Sequence, residues 1–101
     1  MRQKLARGSE DIDARIDLHG MTQAEAHRAL SRVIAASRAA GQRCILVVTG
    51  HGRMSGGILK AAVPRWLDEP ELRRHVLLIA AARPPHGGHG ALYVLLRRQP
   101  L

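Results

Sequence analysis

The stretch that decides the fold is residues 15–49, RIDLHGMTQAEAHRALSRVIAASRAAGQRCILVVT. Its hydrophobic period changes twice. Over Arg15–His19 the apolar residues alternate, at Ile16 and Leu18, which predicts a short strand. Gly20 breaks that pattern. Thr22-Gln23-Ala24-Glu25 then has the form of a capping box, with Thr22 as N-cap and Glu25 reaching back. Ala26, Ala29, Leu30, Val33 and Ile34 recur at helical spacing, while Arg28, Arg32 and Arg38 fall off that stripe. Gly41 is suited to ending a helix, so the spacing predicts one from about Gln23 to Ala40. Cys44 to Thr49 is a continuous apolar run, as expected for a strand covered by its neighbours. A strand, a helix and a second strand in this order make a right-handed parallel crossover.

The rest of the chain extends this unit. Residues 1–14 are polar and mixed in charge and read as an arm or linker, leaving 15–98 as the domain. Gly50 to Gly57 is a glycine-rich loop. A second helix is expected from Ile58, burying Leu59, Ala62, Val63, Trp66 and Leu67, with Pro64 kinking or splitting it. His75 to Ala82 reads as a third strand and Ala91 to Arg97 as a fourth. The loop between them, Arg83 to Gly90, is read as lacking a helix, so the fourth strand should run antiparallel. The expected fold is an α/β two-layer sandwich, βαβαββ, on a four-stranded mixed sheet. The sequence leaves open whether anything covers the second face.

A chain of 101 residues fits one domain. It has no Phe, so its core must rest on Ala, Val, Leu and Ile, with Trp66 and Tyr93 as packing residues. Cys44 is the lone cysteine, which excludes an internal disulfide and fits a small buried hydrophobe in a reducing compartment. No apolar run is long enough to cross a bilayer, and Met1–Arg15 has no apolar core of a secretory signal. A cytoplasmic monomer with no membrane partner is the expectation. The formal charge is +8, and all the basic residues except Lys4 and Lys60 are Arg. Arginine presents planar, forked donors suited to phosphate. The charge becomes evidence for a polyanionic partner only if it converges in space.

The topology provides that test. Ligands of open parallel sheets bind beyond the carboxyl ends of the strands. Strand one ends in Asp17-Leu18-His19-Gly20, and strand two runs into Gly50-His51-Gly52-Arg53. Strand three ends before Arg83 and His86, and the antiparallel fourth strand starts after Gly88-His89-Gly90. Four of the six histidines and two arginines therefore share one rim. The other rim carries Gln42, Arg43, Arg73 and Arg74, read as solvated surface. Asp17 and His19 lie two apart, so a carboxylate can orient an imidazole and raise its basicity; the plainer reading is that Asp17 caps the turn. The glycine loop after strand two can bring backbone N–H groups to an anion, but it lacks the Walker spacing and Lys-Ser/Thr ending. His86 and His89 could serve a His-only zinc site, but without paired cysteines the favoured reading is a loop whose histidines and Arg83 meet phosphate.

Three segments, Ile16-Asp17-Leu18-His19-Gly20, Thr49-Gly50-His51-Gly52 and Gly87-Gly88-His89-Gly90-Ala91-Leu92-Tyr93-Val94-Leu95-Leu96, resemble in order and spacing the signatures of the Smr (small MutS-related) domain. The resemblance covers about Ile12 to Arg98. It implies a two-layer sandwich similar to the C-terminal domain of bacterial translation initiation factor three, nucleic-acid binding and, in many members, endonuclease activity on DNA or on messenger RNA at stalled ribosomes. It places the family's Asp-x-His motif on Asp17 and His19 and its His-Gly motif on His51 and Gly52. Two positions depart from the pattern. Met54 stands where a glycine is usual, and His89 where many relatives carry an acid.

Two functions follow from these readings. In the first, an endonuclease uses Asp17, His19 and His51 for acid–base chemistry. Gly20, Gly50, Gly52, Arg53, Arg83, His86, Gly88, His89 and Gly90 hold the substrate. RNA cleavage needs no cofactor, because the 2′-hydroxyl is the nucleophile. DNA cleavage calls for an activated water and a divalent cation, Mg²⁺ or Mn²⁺. In the second, the chain is a non-catalytic module docking on nucleic acid or the ribosome, and Ala at His19 costs it little affinity.

Overall fold

The βαβ unit forms as its periodicity requires, and everything else packs around it. A computed structural model describes residues 12–51 and 55–98. Strand β1 (Ala14–Asp17) leads into helix α1 (Gln23–Ala39), and β2 (Cys44–Val48) runs parallel to β1 with Asp17 opposite Val48. The capping box is complete: Thr22 Oγ1 accepts the Glu25 N–H at 3.1 Å, and Glu25 Oε1 accepts the Thr22 N–H at 2.9 Å. Gly41 closes the helix at φ 81°, a conformation in which a side chain is strained.

Helix α2 spans Ser55–Leu67, beginning a turn earlier than Ile58 despite two glycines in that turn. It continues through Pro64 instead of splitting. The proline removes one N–H near the end of the helix, and buried Trp66 and Leu67 hold the last turn against the core. Pro70 opens the short α3 (Pro70–Arg73), and β3 (Val76–Ala81) follows. The next loop is not free of helix. Two 3-10 turns, Pro84–His86 and Gly88–Gly90, occupy it before β4 (Ala91–Leu96). Strand β4 inserts between β2 and β3, antiparallel to both, giving the sheet order β1-β2-β4-β3. The α/β fold is the expected two-layer sandwich on a four-stranded mixed sheet.

Strand alternation divides the apolar side chains between two faces. Ile45, Val47, Val94 and Leu96 meet Leu30 and Ile34 of α1, Leu59, Val63 and Trp66 of α2, and Leu72 of α3. Burying a side chain of this size stabilises the fold by roughly 1.5–3 kcal/mol. Cys44, Leu46, Ala82, Ala91 and Tyr93 form a second, smaller cluster on the other face, flanked by Ile12, Val48 and Leu95. Among the described residues no helix residue belongs to that cluster. Among the described residues no helix is long and apolar enough to cross a membrane.

Candidate functional site

The carboxyl edge of the sheet collects the exits of β1, β2 and β3 and the entrance of β4. Leu18 still donates its N–H to Val48 O at 2.8 Å, so the chain leaves β1 directly beside the end of β2. Asp17 Oδ1 accepts the backbone N–H of His19 at 3.0 Å and lies 3.6 Å from His19 Nδ1. That oxygen caps the turn, as the plainer reading of Asp17 has it, and the imidazole lies nearby without a hydrogen bond to it. The His19 side chain is 73% exposed and that of Asp17 41%. The ring is thus largely open to solvent beside the Asp17 carboxylate. Gly20 follows at φ 86°, which lets the chain turn sharply into α1.

Thr49 and Gly50 fasten β2 to the loop before β4. Both donate their N–H to Gly90 O, at 2.8 and 3.0 Å, and the Thr49 hydroxyl lies 3.3 Å from the same oxygen. His51 then folds back over that loop. Its Nε2 is 3.4 Å from Gly87 O. A carbonyl can only accept, so this contact places the proton on Nε2 and leaves Nδ1 as the basic nitrogen. Gly90 is crowded here: a Cβ would stand 2.8 Å from His51 Cδ2 and 3.1 Å from the Gly50 carbonyl carbon. His51, Gly87, Gly88 and His89 line one concavity with Ala81, Ala82 and Pro84. His89 also borders an adjoining, largely apolar pocket with Thr49, Lys60, Ile79 and Leu92.

The structure thus gathers Asp17, His19, Gly20, Gly50, His51, Gly88, His89 and Gly90 at one edge. Gly52 and Arg53 lie outside the described residues. His86 is placed differently. Its ring meets Tyr93 edge-on, Nδ1 is 2.6 Å from the Tyr93 hydroxyl, and Nε2 is buried with no partner among the described residues. The same hydroxyl accepts the Arg83 N–H at 3.1 Å. Tyr93 therefore pins both ends of the turn that carries Arg83 and His86, a role its sequence position did not announce. The signal was present in the strand alternation, which turns Tyr93 away from the helices and under this loop. Lys60 and Thr49, which line the adjoining pocket, were not among the candidate site residues. Lys60 lies on the exposed side of α2, and Thr49 is buried at the strand end.

On the opposite edge Arg73 and Arg74 are exposed, as expected of solvated surface, whereas Arg43 is partly buried. Arg43 Nε donates to Leu96 O at 2.9 Å, and Arg38 donates to Arg74 O and Arg98 O at 3.1 and 2.9 Å. Among the described residues no three His, Cys, Asp or Glu side chains gather as a metal site. Asp17 and His19 offer one carboxylate and one imidazole, fewer donors than a two-metal centre needs. The residues described do not fit that group.

The comparisons with known proteins agree with this architecture. The Smr domain family matches residues 16–97. The ribosome rescue factor SmrB of Escherichia coli (strain K12 / DH10B) is 38% identical over 94 residues, covering 93% of this chain and 48% of that protein. The same figures hold for the SmrB of Enterobacter sp. (strain 638). The chain spans about half the length of the curated relatives it matches. The Smr domain of Thermus thermophilus MutS2 superposes with a TM-score of 0.73 at 32% identity, covering 84% of this chain and 99% of that one. YdaL, a stand-alone small MutS-related protein from Escherichia coli, gives 0.80 at 30% identity, covering 94% and 71%.

Proposed function

The chain belongs to the Smr domain family, and from that premise we propose that it cleaves RNA associated with the ribosome, by imidazole acid–base catalysis at the carboxyl edge of its sheet. The observation that carries the reading is the Asp17 oxygen, 3.0 Å from the His19 N–H and 3.6 Å from its Nδ1. A carboxylate there favours the Nδ1–H tautomer, leaving Nε2 to act as base, and stabilises the imidazolium that forms. RNA is favoured over DNA as substrate because the curated relatives are ribosome rescue factors, and because its 2′-hydroxyl supplies the nucleophile without a metal. A ribosomal partner puts this work in the cytoplasm.

The reaction runs in one displacement. His19 Nε2 takes the 2′-hydroxyl proton, and the 2′-oxygen attacks phosphorus. The bond from phosphorus to the 5′-oxygen breaks, and protonated His51 gives its proton to that oxygen. The products are a 2′,3′-cyclic phosphate and a 5′-hydroxyl. Arg83 and Arg53 stabilise the charge on the equatorial oxygens. The N–H groups of Gly50, Gly88 and Gly90 are bonded within the fold, so these glycines and Gly52 serve by shaping the loops around the phosphate, and Gly20 turns the chain clear of it. His86 holds Arg83 in place through Tyr93, and His89 meets the adjoining nucleotide.

The test is cleavage of end-labelled single-stranded RNA in EDTA. His19→Ala should slow it by roughly 10²–10⁴-fold with little change in binding, and the products should carry cyclic phosphate ends. Tight binding without cleavage under any condition makes the chain a docking module instead.

A further inference from the structure

The cleavage reading makes no use of the opposite edge of the sheet, where β2 and β3 begin, β4 ends, and α1 and α3 finish. Six arginines meet there from separate segments: Arg38, Arg43, Arg73, Arg74, Arg97 and Arg98. Their backbones are tied together. Arg38 Nη1 donates to Arg74 O at 3.1 Å and lies 3.3 Å from His75 Nδ1, while Nη2 donates to Arg98 O at 2.9 Å. Arg97 donates its N–H to His75 O, and Arg43 is bonded to Leu96 through both its carbonyl and its Nε. The inner guanidiniums, Arg38 and Arg43, thus lock the edge, and the side chains of Arg74, Arg97 and Arg98 are left exposed.

Among the described residues few acids oppose this charge. Asp13 Oδ2 is taken up by the N–H groups of Arg43 and Cys44. Asp68 lies 3.7 Å from Arg73, and Glu71 is the remaining carboxylate on α3. The field at this edge is felt by His75, whose pKa is pushed below its ordinary value of 6.5 by burial and then by the charges of Arg74 and Arg38.

We propose that Arg74, Arg97 and Arg98 form a second RNA-docking surface, which grips the phosphate backbone of a structured RNA at the sheet edge opposite His19 and His51. Exposed guanidiniums on an anchored backbone suit this task, because the fold has already ordered the backbone that carries them and only the side chains remain to be fixed. Strands of this length separate the two edges by roughly 17–20 Å. An RNA held at both is gripped several nucleotides from where it is cut. The surface rests on the nucleic-acid reading for its partner but not on the cleavage chemistry.

The experiment measures binding of a fluorescently labelled RNA hairpin by anisotropy at about 50 to 200 mM KCl. His19→Ala serves as the parent chain, so cleavage cannot interfere. The triple variant Arg74→Ala/Arg97→Ala/Arg98→Ala should bind at least about tenfold more weakly at the low-salt end, with the slope of log K against log salt flatter by about 2–3. Arg28→Ala/Arg32→Ala/Arg65→Ala removes the same charge from exposed helix positions and should change the slope by less than about 1. Both triples must melt as the parent does. Equal weakening by the two triples, which is the signature of net charge alone, overturns the proposal. So does an unchanged slope in the first triple, or a parent that binds no RNA. Loss of cleavage by the wild-type chain, with the binding difference intact, overturns only the catalytic reading.

Discussion

Gly90→Ala tests how the final loop and His51 fit together. The new Cβ would stand 2.8 Å from His51 Cδ2, 3.0 Å from Nε2 and 3.1 Å from the Gly50 carbonyl carbon. Carbon contacts are comfortable from about 3.5 Å. The exposed His51 ring can swing aside, but Gly50 cannot move alone. Its N–H and that of Thr49 are both bonded to Gly90 O. Overpacking of this kind costs about 1–3 kcal/mol, and the smaller entropy of the unfolded alanine chain offsets about 0.4–1 kcal/mol of that. The net loss should be roughly 1–2 kcal/mol, or a fall in Tm of about 4–8 °C for each kcal/mol in a domain of this size. His51→Ala removes two of the three contacts, so the double variant should recover part of the stability lost by Gly90→Ala. Urea denaturation of the two single variants and the double closes the cycle. RNA cleavage by Gly90→Ala should fall, because its relief is displacement of His51. A Gly90→Ala protein with wild-type stability and cleavage would refute this reasoning. So would a cycle that closes without coupling.

Four further outcomes are expected. Asp17→Asn should lower RNA cleavage by less than the roughly 10²–10⁴-fold expected for loss of a catalytic imidazole, with hairpin affinity held, because the amide still caps the turn but cannot stabilise an imidazolium. Thr22→Ala breaks the capping box and should cost about 0.5–2 kcal/mol, read as a lower urea midpoint. Arg38→Ala removes the guanidinium that ties α1 to the backbone of Arg74 and Arg98, and should cost about 1.5–3 kcal/mol by the same measurement. The His75 pKa is lowered in the folded state, so the unfolded chain takes up that proton first as pH falls. Wild-type stability should therefore decline from about pH 6.5 downward more steeply than that of His75→Asn; parallel pH profiles of the two urea midpoints would contradict this.

The fold was legible wherever periodicity and caps agreed. Thr22, Glu25, the stripe through Ala26, Leu30 and Ile34, and Gly41 all specify one helix, and α1 ends within a residue of the expected position. Where signals conflicted, tertiary packing decided. Gly56 and Gly57 argue against a helix start, and Pro64 argues against its continuation. The buried row of Leu59, Ala62, Val63, Trp66 and Leu67 against the sheet outweighs both. The insertion of β4 between β2 and β3 was not written in any single residue. Only the antiparallel sense of β4 followed from the length of the loop before it.

The site was legible to the extent that topology alone controls it. Strand direction puts Asp17, His19, His51 and His89 at one edge whatever their side chains do. What a sequence does not disclose is how each polar side chain is already satisfied. His86 and His51 lie in equivalent Gly-rich loops and look interchangeable as phosphate donors. Yet His86 is committed to the Tyr93 hydroxyl at 2.6 Å, and His51 rests on Gly87 O with its ring exposed. The arginines divide in the same way. Arg38 and Arg43 spend their guanidiniums on backbone carbonyls, and that is what leaves Arg74, Arg97 and Arg98 displayed on a rigid edge. A count of positive charge treats all six alike. The hydrogen bonds separate those that hold the edge from those free to face a polyanion, so charge removed from the exposed three should register in the salt dependence of RNA binding, and charge removed from Arg38 first in stability.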